Sequence, residues 1–167
     1  ISSYEMITEQ NIDSLKNKNP KDFSGIYIGG GNTPYLLKLI KDTCLWNFLK
    51  LALKENVPIY GGSAGAVIFG KTIIPALPYD KNEVSLKNLS GFNILNGIEI
   101  TCHYSTKEKQ NVQKLMKKNH IKRLIALTEK NGLFVNDKNI TLIGNENGFI
   151  FLDLGTNEIT PGSKIEL

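Results

Sequence analysis

Ser63 sits among small residues in Gly61-Gly62-Ser63-Ala64-Gly65, after the apolar Pro58-Ile59-Tyr60 and before Ala66-Val67-Ile68-Phe69. A strand that turns this sharply into a helix strains its apex residue and lifts that side chain above the sheet. Glycines two before and two after leave the room a Cβ would deny. The pattern suits a serine nucleophile, and the Ala64 amide at the helix start is an unpaired donor for the oxyanion its attack would create. Glycine-rich turns of this spacing also serve packing alone. The turn by itself therefore leaves two readings, nucleophile or packed turn residue.

A serine nucleophile needs a base, and His103 and His120 are the only histidines. His120 follows Met116-Lys117-Lys118-Asn119 at the end of a helical pattern and reads as structural. His103 closes the strand-like Gly97–Tyr104, at the level where α/β sheets carry their sites, and is the candidate general base. Its neighbour Cys102 points to the opposite face and reads as core filler. Gly29-Gly30-Gly31-Asn32-Thr33 repeats the strand–glycine–helix arrangement. Its amides suit a phosphate or a second oxyanion contact, or the segment is a turn requiring positive φ. A phosphate loop would want Lys-Ser/Thr after the glycines and a dinucleotide fold G-x-G-x-x-G, and neither is present.

The elements that must position these residues follow from periodicity. Segment 25–28 reads as a buried strand, 34–40 as a helix opened by Pro34, 45–56 as a stronger amphipathic helix, and 58–60 as a short strand leading into a buried helix over 64–70. Segment 11–19 reads as a short polar helix and 106–119 as a helix capped at Thr106. Strands follow over 123–127, 133–135, 140–144 and 148–152, with Asn136-Asp137-Lys138-Asn139 as a hairpin turn. Strand and helix alternate early and hairpins close the chain. This order predicts one α/β domain over 1–167, with a mostly parallel sheet and an antiparallel C-terminal region.

Composition narrows the function. The 167 residues are 41% hydrophobic and 22% charged, with a formal charge of +4, which is ordinary for a globular domain. The lysines are dispersed and Arg123 is the only arginine, so nucleic-acid binding is not expected. No apolar run reaches membrane-spanning length and no signal-peptide pattern is visible. The two cysteines, Cys44 and Cys102, lack metal-ligand spacing. A reduced, cytoplasmic protein without metal or cofactor is expected.

The combination of Ile26–Ile40, Gly61–Ile68, a histidine forty residues after the serine and Ile125–Val135 resembles the peptidase family of aspartyl dipeptidase (dipeptidase E) and cyanophycinase. The resemblance runs in order from about Ile26 to Leu152. It implies a glutamine-amidotransferase-like α/β fold and serine-peptidase chemistry on short peptides. By position, Ser63 resembles the nucleophile, His103 the base, and Glu129 the acid that orients it. Gly31 and Ala64 resemble the oxyanion amides, and Asn32 lines the site. Without the resemblance, Glu129 is one carboxylate among many. The chain order Ser, His, acid differs from the Ser, acid, His of α/β-hydrolases.

Two departures stand out. The family carries Thr-Arg-Glu after the histidine, where its arginine binds an aspartyl carboxylate. Here the segment is Thr106-Lys107-Glu108, and lysine keeps the charge but loses the bidentate fork. Relatives also carry a strand–helix–strand unit before the region matching Ile1. The resemblance thus implies an N-terminally shortened domain, with strands 25–28 and 58–60 inner to the sheet and self-association through an exposed edge. The expected function is a serine peptidase. The alternatives are a shortened, non-catalytic binding or scaffold protein, and an amidotransferase or phosphate binder using the 29–33 loop. Ser63, where a glutaminase would want cysteine, speaks against an amidotransferase.

Overall fold

A computed structural model describes residues 4–136, 139–153 and 155–165. Its strands are β1 (Ile26–Ile28), β2 (Ile59–Gly61), β3 (Glu99–Thr101), β4 (Arg123–Ala126), β5 (Asn131–Asn136), β6 (Asn139–Gly144), β7 (Gly148–Leu152), β8 (Gly155–Ile159) and β9 (Lys164–Ile165). The α-helices are α1 (Thr33–Asp42), α2 (Leu45–Lys54), α3 (Ala64–Val67) and α4 (Lys109–Asn119). The fold is mixed α/β.

The sheet is not mostly parallel. Among the described residues, β1 pairs parallel with β2, and β3 with β4. The pairs β4–β7, β7–β8, β5–β6 and β6–β9 are antiparallel. The ladders form three groups, β1-β2, β3-β4-β7-β8 and β5-β6-β9. The expected inner strands β1 and β2 have only each other as ladder partners among these residues. Antiparallel pairing dominates because only two residues separate β5 from β6 and β7 from β8, too few for a crossover. Parallel pairing needs a long crossover, supplied by α1–α2 between β1 and β2 and by α4 between β3 and β4.

Strand β8 and the two-residue β9 were not foreseen, since Gly155-Thr156-Asn157-Glu158 carries little apolar signal. The 64–70 helix ends at Val67, and the chain passes through further turn hydrogen bonds to Gly70. Segment 11–19 is a 3-10 helix over Ile12–Asn17, and Thr106–Glu108 forms a 3-10 turn ahead of α4. Asn136 lies opposite Asn139 as a hairpin requires; Asp137 and Lys138 of the expected turn lie outside the described residues.

Strand β4 separates two cores. Ile125 and the following Leu127 join the main cluster with Leu37, Ile68, Ile98 and Ile100. Leu124 and Ala126 face the other way, into Val112 and Met116 of α4 and Phe151 of β7. Residues that alternate into two apolar clusters are buried on both faces, as in a strand interior to a layered fold. The buried Glu99 on β3 is held by the Thr72 amide at 2.7 Å and the Thr72 hydroxyl at 2.9 Å. This tie fixes the long loop after α3 to the sheet.

Candidate active site

Ser63 has φ 53° and ψ −116°, a conformation a side chain adopts only when its surroundings enforce it, at a cost of about 1–3 kcal/mol. The enforcement comes from glycine contacts. A Cβ on Gly61 would strike the Gly65 backbone, and one on Gly65 would strike the Ile28 carbonyl. The elbow is thus wedged against β1. The Ser63 carbonyl accepts from Ala66 N at 2.8 Å and Val67 N at 3.0 Å, starting α3. The side chain caps nothing in that helix, so its hydroxyl remains available.

The base and acid are positioned by the neighbouring parallel pair. Beyond β3 and β4, Leu127 N donates to Thr101 O and Tyr104 N to Leu127 O, both at 2.9 Å. These bonds bracket His103, which has φ 59°. Glu129 follows in a turn braced by Asn131, whose side chain accepts from Thr128 N and donates to Asn147 O, both at 2.9 Å. The Lys130–Glu146 ion pair, at 2.8 Å, holds the same turn.

Ser63 Oγ lies 2.7 Å from His103 Nε2, and His103 Nδ1 lies 2.5 Å from Glu129 Oε1. With the Nδ1 proton donated to the carboxylate, Nε2 presents its lone pair to the serine hydroxyl. This arrangement can deprotonate the serine as it attacks and stabilise the imidazolium that results. The assembly is open: the His103 side chain is 57% exposed and that of Glu129 73%.

The other expected residues divide. Neither the Gly31 nor the Ala64 amide donates a hydrogen bond among the described residues, and Gly31 has φ 130°. Asn32 is used structurally: Oδ1 caps α1 by accepting from Tyr35 N, and Nδ2 donates to Lys81 O, both at 2.9 Å. Lys107 is exposed. It lines neither the hollow of about 380 Å³ beside Glu129 nor a second cavity beside α4. His120 ends α4 in the left-handed conformation. Cys102 packs on the core, yet its Sγ also rests 3.8 Å from the Ser63 carbonyl. Burial, with the charge of Glu129, pushes its thiol up to about 11.

Two residues escaped the sequence reading. A Cβ on Gly30 would lie 3.2 Å from the Ser63 Cβ, so Gly30 is the glycine that lets the 29–33 loop approach the serine. Asp80 accepts from Thr33 N at 3.0 Å and Thr33 Oγ1 at 2.6 Å, tying that loop to the segment after α3. The glycine run signalled the first; nothing in the sequence singles out Asp80.

The model of peptidase family S51 matches residues 6–143. The chain belongs to peptidase family S51. It is 27% identical over 142 residues to "Peptidase E" of Shewanella denitrificans, and 28% identical over 142 residues to "Peptidase E" of Shewanella putrefaciens. Each match takes in 78% of the chain and 58% of the relative. The chain thus spans somewhat over half the length of these curated family members. Two crystal structures share the fold. A peptidase from an acI-B1 Actinobacterium aligns with TM-score 0.69 at 20% identity, covering 95% of this chain and 64% of that one. A protein of Listeria monocytogenes EGD-e named for peptidase E aligns with TM-score 0.66 at 22% identity, covering 84% and 67%. Among the described residues, no three His, Cys, Asp or Glu group as a metal site, and no helix is long and apolar enough to cross a membrane.

Proposed function

We propose that this S51 chain is a serine peptidase acting on short peptides, built as one domain of the glutamine-amidotransferase-like type. Ser63 Oγ attacks the scissile carbonyl as His103 Nε2 takes its proton. The amides of Gly31 and Ala64 receive the oxyanion. Nε2 then returns the proton to the leaving amine, and water activated by the same imidazole hydrolyses the acyl-enzyme. Glu129 holds the Nδ1 proton and stabilises the charged ring. Asn32 lines the site through its remaining N–H, and Lys107 is the cation nearest in sequence to the family's arginine.

One observation carries this reading. A serine with no capping role, held at φ 53°, meets an imidazole at 2.7 Å whose far nitrogen meets a carboxylate. The test is the intact mass after fluorophosphonate treatment, together with hydrolysis of short peptides. A single adduct that disappears in Ser63→Ala supports the reading, and an unlabelled, well-folded chain removes it. The exposure of His103 and Glu129 favours a second reading, a non-catalytic binding protein with the family fold, because solvent weakens the electrostatic support an active imidazole needs. The same labelling separates the two.

A further inference from the structure

A cavity of about 320 Å³ lies between the 75–79 segment and α4. Pro78, Val112, Leu115 and Leu124 give it apolar walls, and Glu108 is the one charged residue on them. Two of its wall residues belong to the segments that carry the candidate active site. Thr101, on the cavity wall, is two residues before His103, and Tyr79 precedes the Asp80 that holds Thr33 beside the glycine loop.

Glu108 is held by neutral donors rather than by a cation. Asp13, Glu5, Glu55, Asp42 and Glu146 each have a lysine partner. Glu108 has none among the described residues, although Lys107 and Lys109 flank it. Instead the Tyr79 hydroxyl, at 2.8 Å, and Asn111 Nδ2, at 3.2 Å, both donate to its Oε2. Oε1 has no hydrogen-bond partner among the described residues. These donors keep the Glu108 carboxyl below the usual carboxylate range, so it is charged at neutral pH. Burial and the bond to Glu108 push Tyr79 up to about 12, so its hydroxyl stays a donor throughout the working range.

We propose that this cavity is the side-chain subsite of the peptidase and takes a basic residue, lysine or arginine, with the aliphatic stem along Pro78, Val112 and Leu115 and the cation on Glu108 Oε1. Apolar walls together with a carboxylate oriented by Tyr79 and Asn111 suit a long cationic side chain, which has an aliphatic stem and a charged head. An aspartyl side chain would set a second anion against Glu108 and leave the apolar walls unfilled. The proposal rests on the peptidase reading for its role in turnover; binding to the cavity does not require turnover.

The test therefore separates the two. The chain is titrated by calorimetry with the N-acetyl methylamides of arginine, lysine, norleucine and aspartate, while fluorophosphonate labelling of Ser63 is measured independently. Arginine and lysine amides are expected to bind about tenfold or more tightly than the norleucine and aspartate amides. Glu108→Gln should erase that margin while Ser63 labelling stays at the wild-type rate. Should Glu108→Gln fail to melt cooperatively, the unmodified chain decides through lysine, ornithine and diaminobutyrate amides, whose affinity should fall in that order as the cation recedes from Glu108. Equal binding of all ligands, no binding of the basic ones, or tighter binding of aspartate overturns the subsite whatever the labelling result. Loss of labelling with basic-ligand binding intact overturns the peptidase reading and leaves the cavity's preference standing.

Discussion

The two parallel strand pairs, β1–β2 and β3–β4, supply the two halves of the candidate site in different environments. In β3–β4 every residue is buried except the half-buried Arg123, and β4 feeds two separate cores. In β1–β2 only one face is packed. Ile28 is buried, while Tyr27 and Tyr60, opposite each other in the ladder, are 70% and 67% exposed. Their rings stack at 5.5 Å between centroids, which shields part of each from water but leaves the face uncovered. Parallel strands are normally covered on both faces. The nucleophile is therefore carried by the half-covered pair and held there by backbone contacts at Gly61 and Gly65. The base and acid are carried by a pair fixed through side-chain packing. One half of the site depends on backbone space, the other on buried apolar area.

The largest effects are expected at the chemistry. Ser63→Ala should abolish fluorophosphonate labelling and lower peptide hydrolysis by at least about a thousandfold, with its melting curve close to the wild type's, since alanine is no more suited to φ 53° than serine and α3 uses nothing of the hydroxyl. Residual labelling would place the nucleophile elsewhere. Glu129→Gln tests the other half. An amide cannot stabilise the imidazolium, so kcat should fall by about 10²–10⁴-fold, toward the lower end because Glu129 is largely exposed and solvent screens its charge. Steady-state rates at saturating peptide measure this. An unchanged kcat would reduce the working site to Ser63 and His103.

How far the sequence carried this picture depends on what each residue relies on. The elbow was legible because strain leaves a compositional mark: only small residues fit where Gly61 meets Gly65 and Gly30 meets Ser63. His103 was legible as one of two histidines, standing at a strand end. Glu129 was legible only through resemblance, because a carboxylate on a surface turn has no local pattern of its own. Asp80 left no mark at all, since its bonds to Thr33 join residues far apart in the chain. In the fold, β3 read as an alternating strand, yet Glu99 points into the protein, where Thr72 from the preceding loop satisfies it. The mostly parallel sheet was the chief misreading. The early helix–strand alternation carried too much weight: among the described residues only β1–β2 and β3–β4 pair parallel, and the other ladders are antiparallel, including those of the expected antiparallel C-terminal region.

The contrast between the two pairs can be sharpened by truncation. Leu124→Ala empties part of the core between β4 and α4 and should cost about 2–5 kcal/mol, read from urea midpoints at constant m-value. Tyr27→Ala removes a ring that is mostly in water and stacked on only one neighbour, so its cost should stay near 1 kcal/mol. A Tyr27 cost equal to that of Leu124 would mean that the β1–β2 face is covered in solution. Sizing by light scattering at several concentrations then shows whether a second copy provides the cover. Association that Tyr27→Ala dissolves would assign the contact to this face.

The smallest effect concerns Glu99, the one buried carboxylate on β3. Burial raises its pKa and is its largest influence, opposed by the hydrogen bonds from Thr72 and the charge of Lys71. A carboxyl whose folded pKa lies above its unfolded value binds its proton more tightly in the native state. Its contribution is fully present below the unfolded value near 4.5 and is lost as pH rises through the folded pKa. The more deeply buried pair thus carries a group that favours mildly acidic conditions, against the usual trend of paired surface carboxylates such as Glu55 and Glu146, whose lowered pKa values favour higher pH. Glu99→Gln keeps the shape and one acceptor for the Thr72 amide but carries no charge. The difference in unfolding free energy between the variant and the wild type, followed by urea melts from pH 4 to pH 8, should move in favour of the variant as pH rises. The wild type would gain on the variant instead if the two Thr72 bonds outweighed desolvation, and the tie between β3 and the loop after α3 would then be an ionic one.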